Sequence, residues 1–449
     1  MSFLLNSFRY VSAASGPAFH ALTPDTANDY TMEGVLIGTG DLTTTHTSTL
    51  YAPDKDGIYQ QFPANAKVWS GGRCVLSGSP EAGSDVSSVH GNESSGGAPL
   101  AEVPYLQYYP AAENKAPYSN DLTNWTAQVT PVVTALDQIG LTGEPNTATL
   151  VTDADAGVIS AVRILYTHAN GVSNTVKIWI KKDTDQTRFP RIVTSSPSTF
   201  VFFNTETGAS RIATGSATIE VADDGDWWIL MVEWTTNNTN AYIEISPAGN
   251  SNFVGGGNAA ATGSVIIGNV ESHSGKTIAE VRGLGPIFTT TAAVATDATV
   301  YSLDASNHDN TNGGYYAEVM PTASTTESPV EFSGDFELLS LNDAADLLYY
   351  DATNAQIESA DGTNTAAKSF ATVTDTMFQV GLAYGSSNMR INVDGTWGTA
   401  ASYDGAYPSS SPQALDVLRA AGYAAGIRDL RRYDETYADV QTTIDGLMP

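Results

Sequence analysis

Asp335 and Glu337 stand two residues apart in Glu331-Phe332-Ser333-Gly334-Asp335-Phe336-Glu337, where strand alternation would put both carboxylates on one face. Two carboxyl groups about 5 to 10 Å apart are what hydrolysis of a glycosidic bond requires. Glu331 is out of register for a third, and charged side chains as a rule stay in water, so solvated carboxylates are the expectation here. His20, His46, His90, His168, His273 and His308 are scattered, with no HExxH pair and no GxSxG serine. They are expected on loops or the surface, and no catalytic residue is assigned. Asp54-Lys55-Asp56-Gly57, Asp153-Ala154-Asp155-Ala156-Gly157, Asp223-Asp224-Gly225-Asp226 and Asp304 to Asp309 place carboxylates in turns. Hard oxygen ligands of this kind make calcium the candidate ion, although none completes an EF-hand loop and Asp-Gly is also ordinary turn chemistry. No other cofactor is implied.

Aromatic side chains are the other chemistry on offer, because a ring face stacks on the apolar face of a sugar while neighbouring polar groups take its hydroxyls. Trp227, Trp228, Tyr315, Tyr316, Tyr349, Tyr350 and Trp397 are the candidates for glycan binding. In each adjacent pair a strand should turn one ring inward and the other outward. Packing in a core is the competing use of every one of them.

These residues must be carried by strands. Of 449 residues 41% are hydrophobic but only 15% charged, and 40 are glycine, which suits short strands and polar turns. The length allows about three domains. Forty-nine acidic against 20 basic side chains leave a net charge of −29, which repels nucleic acid, and Arg428, Arg431 and Arg432 form the one notable cluster of cations. A single cysteine, Cys74, rules out an intrachain disulfide and a thiolate zinc cluster. The opening segment lacks a basic region ahead of its apolar residues and is a poor secretory signal, and no apolar run is long enough to span a membrane.

Alternation predicts strands at 147–152, 158–168, 175–181, 191–193, 200–203, 217–221, 227–234, 242–245 and 264–270, and again at 317–319, 336–341, 347–350, 376–384 and 389–395. In the third of these Val176, Ile178 and Ile180 face one way and Lys177, Trp179 and Lys181 the other, as in a half-buried antiparallel strand. Residues 434–447 are expected to form a closing helix. The Ser/Gly-rich run 77–97 reads as an exposed loop.

Four strings occur in order: Asn120-Asp121-Leu122-Thr123-Asn124-Trp125, then Thr175 to Lys182, then Phe203-Asn204-Thr205-Glu206-Thr207-Gly208, then Asp224-Gly225-Asp226-Trp227-Trp228. This order resembles a carbohydrate-binding-like β-sandwich module common in tail fibres and other structural proteins of tailed bacteriophages. Ala425 to Val440 resembles the closing strand of laminin G-like and concanavalin A-like sandwiches, and Asn392-Val393-Asp394-Gly395-Thr396-Trp397 the hairpin before it. Lys276 to Leu284 parallels Ala425 to Leu430, as if two related folds ended alike.

The resemblance implies an all-β chain: an N-terminal virion-attachment region (1–112), a carbohydrate-binding-like sandwich (113–290) and a laminin G/concanavalin A-like sandwich (291–449), both antiparallel jelly rolls. It implies a non-enzymatic tail fibre or appendage subunit, made in the bacterial cytoplasm and carried on the virion. Its partners would be other virion proteins, two further copies in a homotrimer and host-surface polysaccharide, without nucleic acid or membrane insertion. Phe3, Leu4, Leu5, Phe8 and Tyr10 would dock the leader on the particle. A capsid-decorating or head-fibre protein, or a bacterial protein that cleaves or binds glycan, are the alternatives.

Overall fold

A computed structural model describes residues 19–20, 43–53, 58–66, 68–70, 73–76, 101–102, 105–129, 132–184, 189–249, 261–303, 311–321, 336–340, 346–351, 353–370, 376–405, 415–420, 425–433 and 435–448. The chain is all-β in antiparallel sheets, with a parallel pairing of Thr376 and Met377 to Val75 and Leu76 as a local exception. Two six-stranded sheets draw every strand from between residues 126 and 274. The outer sheet runs Thr126–Val129, Ala161–Thr167, Asn240–Ser246, Arg191–Thr194, Thr199–Phe203, Ser210–Thr214. The middle sheet runs Val132–Gln138, Ala148–Asp153, Gly263–Ser274, Ser173–Lys181, Trp227–Thr235, Thr218–Asp224.

These two sheets pack face to face because alternate residues of each are apolar. Val162, Ile192, Val201 and Ile243 from the outer sheet meet Val176, Ile178, Leu230 and Val270 from the middle one in a single core. A half-buried strand at 173–181 is, however, not what forms. All seven residues from Asn174 to Ile180 are buried, because a second apolar layer covers the far face of the middle sheet. There Trp179, Trp227, Ile229 and Met231 pack into a core shared with Leu50, Tyr59, Tyr109 and Leu284, which continues through Tyr301, Leu339 and Ile391 of the last region.

The last region has two large sheets, and strands from residues 1–112 extend both of them. Thr43–Thr45 pairs with Val300–Leu303, and Tyr105–Tyr108 pairs with Ala425–Tyr433 on one side and Trp69–Ser70 on the other. Where residues 1–112 are described, these strands join sheets of the last region. Strands of two to four residues cannot bury a core of their own and add to sheets already formed. The expected parallel between 276–284 and 425–430 fails, for Ile278–Val281 is a helical turn with a Thr277/Glu280 capping box while Ala425–Tyr433 is a strand.

The closing helix forms over Tyr437–Leu447, capped by the Thr436 hydroxyl accepting from the Asp439 amide. It lays Val440 and Ile444 against Tyr316, Ala383 and Tyr433 on the outside of the larger sheet. Two glycines make room for it: a Cβ on Gly314 would stand 2.3 Å from Val440 and one on Gly381 2.8 Å from Ile444.

Candidate functional site

The far face of the middle sheet holds ionisable groups in its interior. Lys177 is wholly buried, its ammonium donating to the carbonyls of Leu284 at 2.6 Å, Val281 at 3.1 Å and Arg282 at 3.4 Å and lying 4.6 Å from the Trp179 ring. Burial lowers its pKa to about 8, while Glu271 and Asp224 pull the other way. Glu271, opposite Lys177 in the strand register, accepts from the Ile287 amide at 2.6 Å and Asn269 at 2.9 Å, and meets His273 Nε2 at 2.8 Å. Asp224 accepts from the Tyr59 hydroxyl at 2.8 Å and the Trp179 indole at 3.2 Å. Burial, and then the Asp224 charge, push the Tyr59 hydroxyl well above the usual tyrosine range.

The hydrogen bonds of Lys177, Glu271 and Asp224 hold chain to chain. Lys177 and Glu271 clasp the segment from Val281 to Ile287 onto the middle sheet, and Asp224 ties Tyr59 of the N-terminal hairpin to the same surface. The surface placement expected for the histidines is corrected at three positions. His46, His168 and His273 are buried, His46 bridging the carbonyls of Ser48 and Ala66 and His168 meeting that of Ala169. Beside the clasp lies a narrow cleft, partly open to solvent, lined by Leu50, Tyr51, Tyr109, Leu284, Pro286 and Ile287 among others. Gly285 passes so close to the Tyr51 carbonyl that a Cβ would stand 1.8 Å from it.

The aromatic residues selected for glycan contact are not brought together. Trp227, Tyr315, Tyr316 and Tyr350 are buried and offer no ring face to a ligand. The expectation of one ring in and one out fails for Tyr315 and Tyr316, because the closing helix covers the side that alternation turned outward. Tyr316 donates instead to Glu318 at 3.1 Å. Trp228, Tyr349 and Trp397 are half-buried at three separate places. Trp228 donates to the Thr205 carbonyl at 2.8 Å under the Lys182 ammonium, Tyr349 bonds Glu358, and Trp397 donates to Asp445 of the closing helix at 2.6 Å.

The acidic turns are likewise occupied from within. Asp153 accepts from the amides of Asp155 at 2.9 Å and Ser160 at 2.8 Å, Asp155 from that of Gly157 at 2.7 Å, and Asp223 pairs with Lys182 at 2.5 Å. Among the described residues no three carboxylate, histidine or cysteine side chains come together as a metal site. Asp54, Asp56, Asp304, Asp309, Asp335 and the leader residues Phe3, Leu4, Leu5, Phe8 and Tyr10 lie outside the described residues.

One constellation escaped the sequence reading. On the outward face of the outer sheet, Glu244 is held by Arg163 at 2.5 Å and by Arg191 at 3.0 Å. The Arg163 guanidinium lies 4.0 Å above the Tyr242 ring, that of Arg191 5.3 Å from Phe200, and that of Arg211 5.3 Å from Phe202. Leu165, directly opposite Tyr242, is 69% exposed. The three arginines belong to three strands, so only the strand order assembles them. For Arg163 the available signal was an outward position in an otherwise mostly apolar strand.

No family model matches the chain, and no curated protein matches it. Among solved structures, the exo-beta-1,3-galactanase from Phanerochaete chrysosporium is 15% identical at a TM-score of 0.21, over 38% of this chain and 32% of its own. The Trypanosoma rangeli sialidase in complex with sialic acid is 9% identical at a TM-score of 0.25, over 68% of this chain and 61% of its own. Its complex with the inhibitor DANA gives 10% identity at a TM-score of 0.25, over 68% and 69%. Likeness at these scores carries no statement about what this chain does.

Proposed function

We propose that the chain is a non-enzymatic structural subunit of a tailed-phage virion, a tail fibre or appendage protein that contacts host-surface polysaccharide. The ordered strings between Asn120 and Trp228 are what carry the reading. The strings fall at structural joints: Asp121 caps the turn Leu122–Asn124, Lys177 clasps the middle sheet, and Asn204 organises the hairpin that receives Trp228. On this reading the protein is carried on the particle with other virion proteins, as a homotrimer, without nucleic acid or membrane insertion; among the described residues no helix is long and apolar enough to cross a membrane. Electron microscopy of particles labelled at the C-terminus of this chain tests it. Label at the tail or its appendages is expected, and its absence from every virion would overturn the proposal.

A further inference from the structure

The two sheets of the central sandwich differ in charge. The six strands of the outer sheet contain three arginines, Arg163, Arg191 and Arg211, and one carboxylate, Glu244. Those of the middle sheet contain two lysines and seven carboxylates, in a chain whose net charge is −29. The acidic sheet is enclosed between two cores, whereas on the second face of the basic sheet Phe202 and Val193 are buried but Leu165, Thr167, Asn240 and Thr126 are exposed and Arg163 and Tyr242 half-buried.

We propose that this outward face is a docking surface for a carboxylated polysaccharide, with Arg163, Tyr242 and Leu165 at its centre. The proposal rests on the reading of the chain as a glycan-contacting subunit and names the class of glycan. Arg163 spends Nε and Nη2 on Glu244 and remains 30% exposed, leaving the edge of a planar guanidinium to meet a carboxylate. Tyr242 and Leu165, opposite each other in register, supply the apolar contact that the ring face of a sugar requires. Thr126 opposite Arg163, and Thr167 opposite Asn240, extend the row with exposed hydroxyl and amide groups. Charge selects the polyanion: the remainder of so acidic a molecule repels it, and this sheet does not. Arg191 and Arg211 stand behind the centre, keeping the potential positive where Glu244 would otherwise cancel Arg163.

The test titrates the full-length protein with polygalacturonate and with neutral dextran of similar length. Binding to polygalacturonate that weakens with salt, without binding to dextran, is expected. Leu165→Glu, at an exposed position, should abolish that binding and leave the thermal transition unchanged; Arg163→Ala should weaken it about tenfold while Glu244 keeps Arg191. Equal binding by the wild type and Leu165→Glu, equal affinity for dextran, preference for single-stranded DNA, or self-association that Leu165→Glu removes would each overturn the proposal. Particle incorporation is scored in parallel. A Leu165→Glu subunit incorporated at normal copy number separates failure of this surface from failure of the virion role.

Discussion

At the scale of single residues Lys177 offers the sharpest handle, because its charge is enclosed and its titration is moved. Its pKa falls to about 8 from the ordinary 10.5 through burial. Between those values the unfolded chain keeps a proton that the folded chain has released, so stability due to this group rises with pH across the window, and below about pH 8 the full cost of the buried charge is present. A shift of this size is worth about 3 kcal/mol. Measured from pH 7.5 to 10, the unfolding free energy of the wild type should rise relative to Lys177→Met by most of that amount; a constant difference would show that the amine titrates as it does in water. Gly208 offers a second test. Its φ of +72° is in the left-handed region, and a Cβ would stand 2.9 Å from the Trp228 ring. Gly208→Ala should cost about 1 to 3 kcal/mol in thermal or denaturant unfolding and shift the Trp228 fluorescence. Neither role is visible in sequence: alternation marks Lys177 as outward, and only the second layer over the middle sheet turns outward into buried.

At the scale of elements, the strands richest in large apolar residues were legible almost to the residue. The segment 227–234 forms Trp227–Thr235 and 200–203 forms Thr199–Phe203, because short, nearly continuous runs of aromatic and branched apolar residues mark strands buried on both faces. Val132–Gln138 and Ser210–Thr214 were not legible. They are edge strands whose polar residues need no apolar partner on one side, so the period that betrays a strand is weak in them. The closing helix was legible from its chemistry at 434–447, but not the face it covers. Gly381→Val should force it off, since the added side chain occupies the place of Ile444. Limited proteolysis is expected to remove residues after 434 from this variant while the sheets persist, and a helix that stays protected would mean the sheet yields instead.

At the scale of the molecule, one core runs from Leu50 through Trp179 and Tyr301 to Leu430, so the central sandwich and the last region share an apolar boundary. A fragment of residues 113–290 alone should therefore expose Trp179, Trp227 and Met231, bind a hydrophobic dye and associate at micromolar concentration. A monomeric, dye-silent fragment would show that the boundary is dispensable. Net charge acts on the same scale: with −29 to hold together, the thermal midpoint should rise as salt is raised from low to physiological concentration, through screening of self-repulsion. The arginine lattice belongs here too. Arg163 and Arg211 are far apart in the chain, and no spacing rule announces that one sheet face will gather them.

The strand Ser173–Lys181 is bonded to neighbours on both edges, Trp227–Thr235 and Gly263–Ser274, and covered by side chains on both faces. Its amide protons therefore have no local route to solvent. Opening a hairpin or fraying an edge leaves them untouched, and they should trade for deuterium only when the whole structure comes apart. Their exchange rate is a clock set by global unfolding alone, readable by mass spectrometry even in a protein assembled on a large particle.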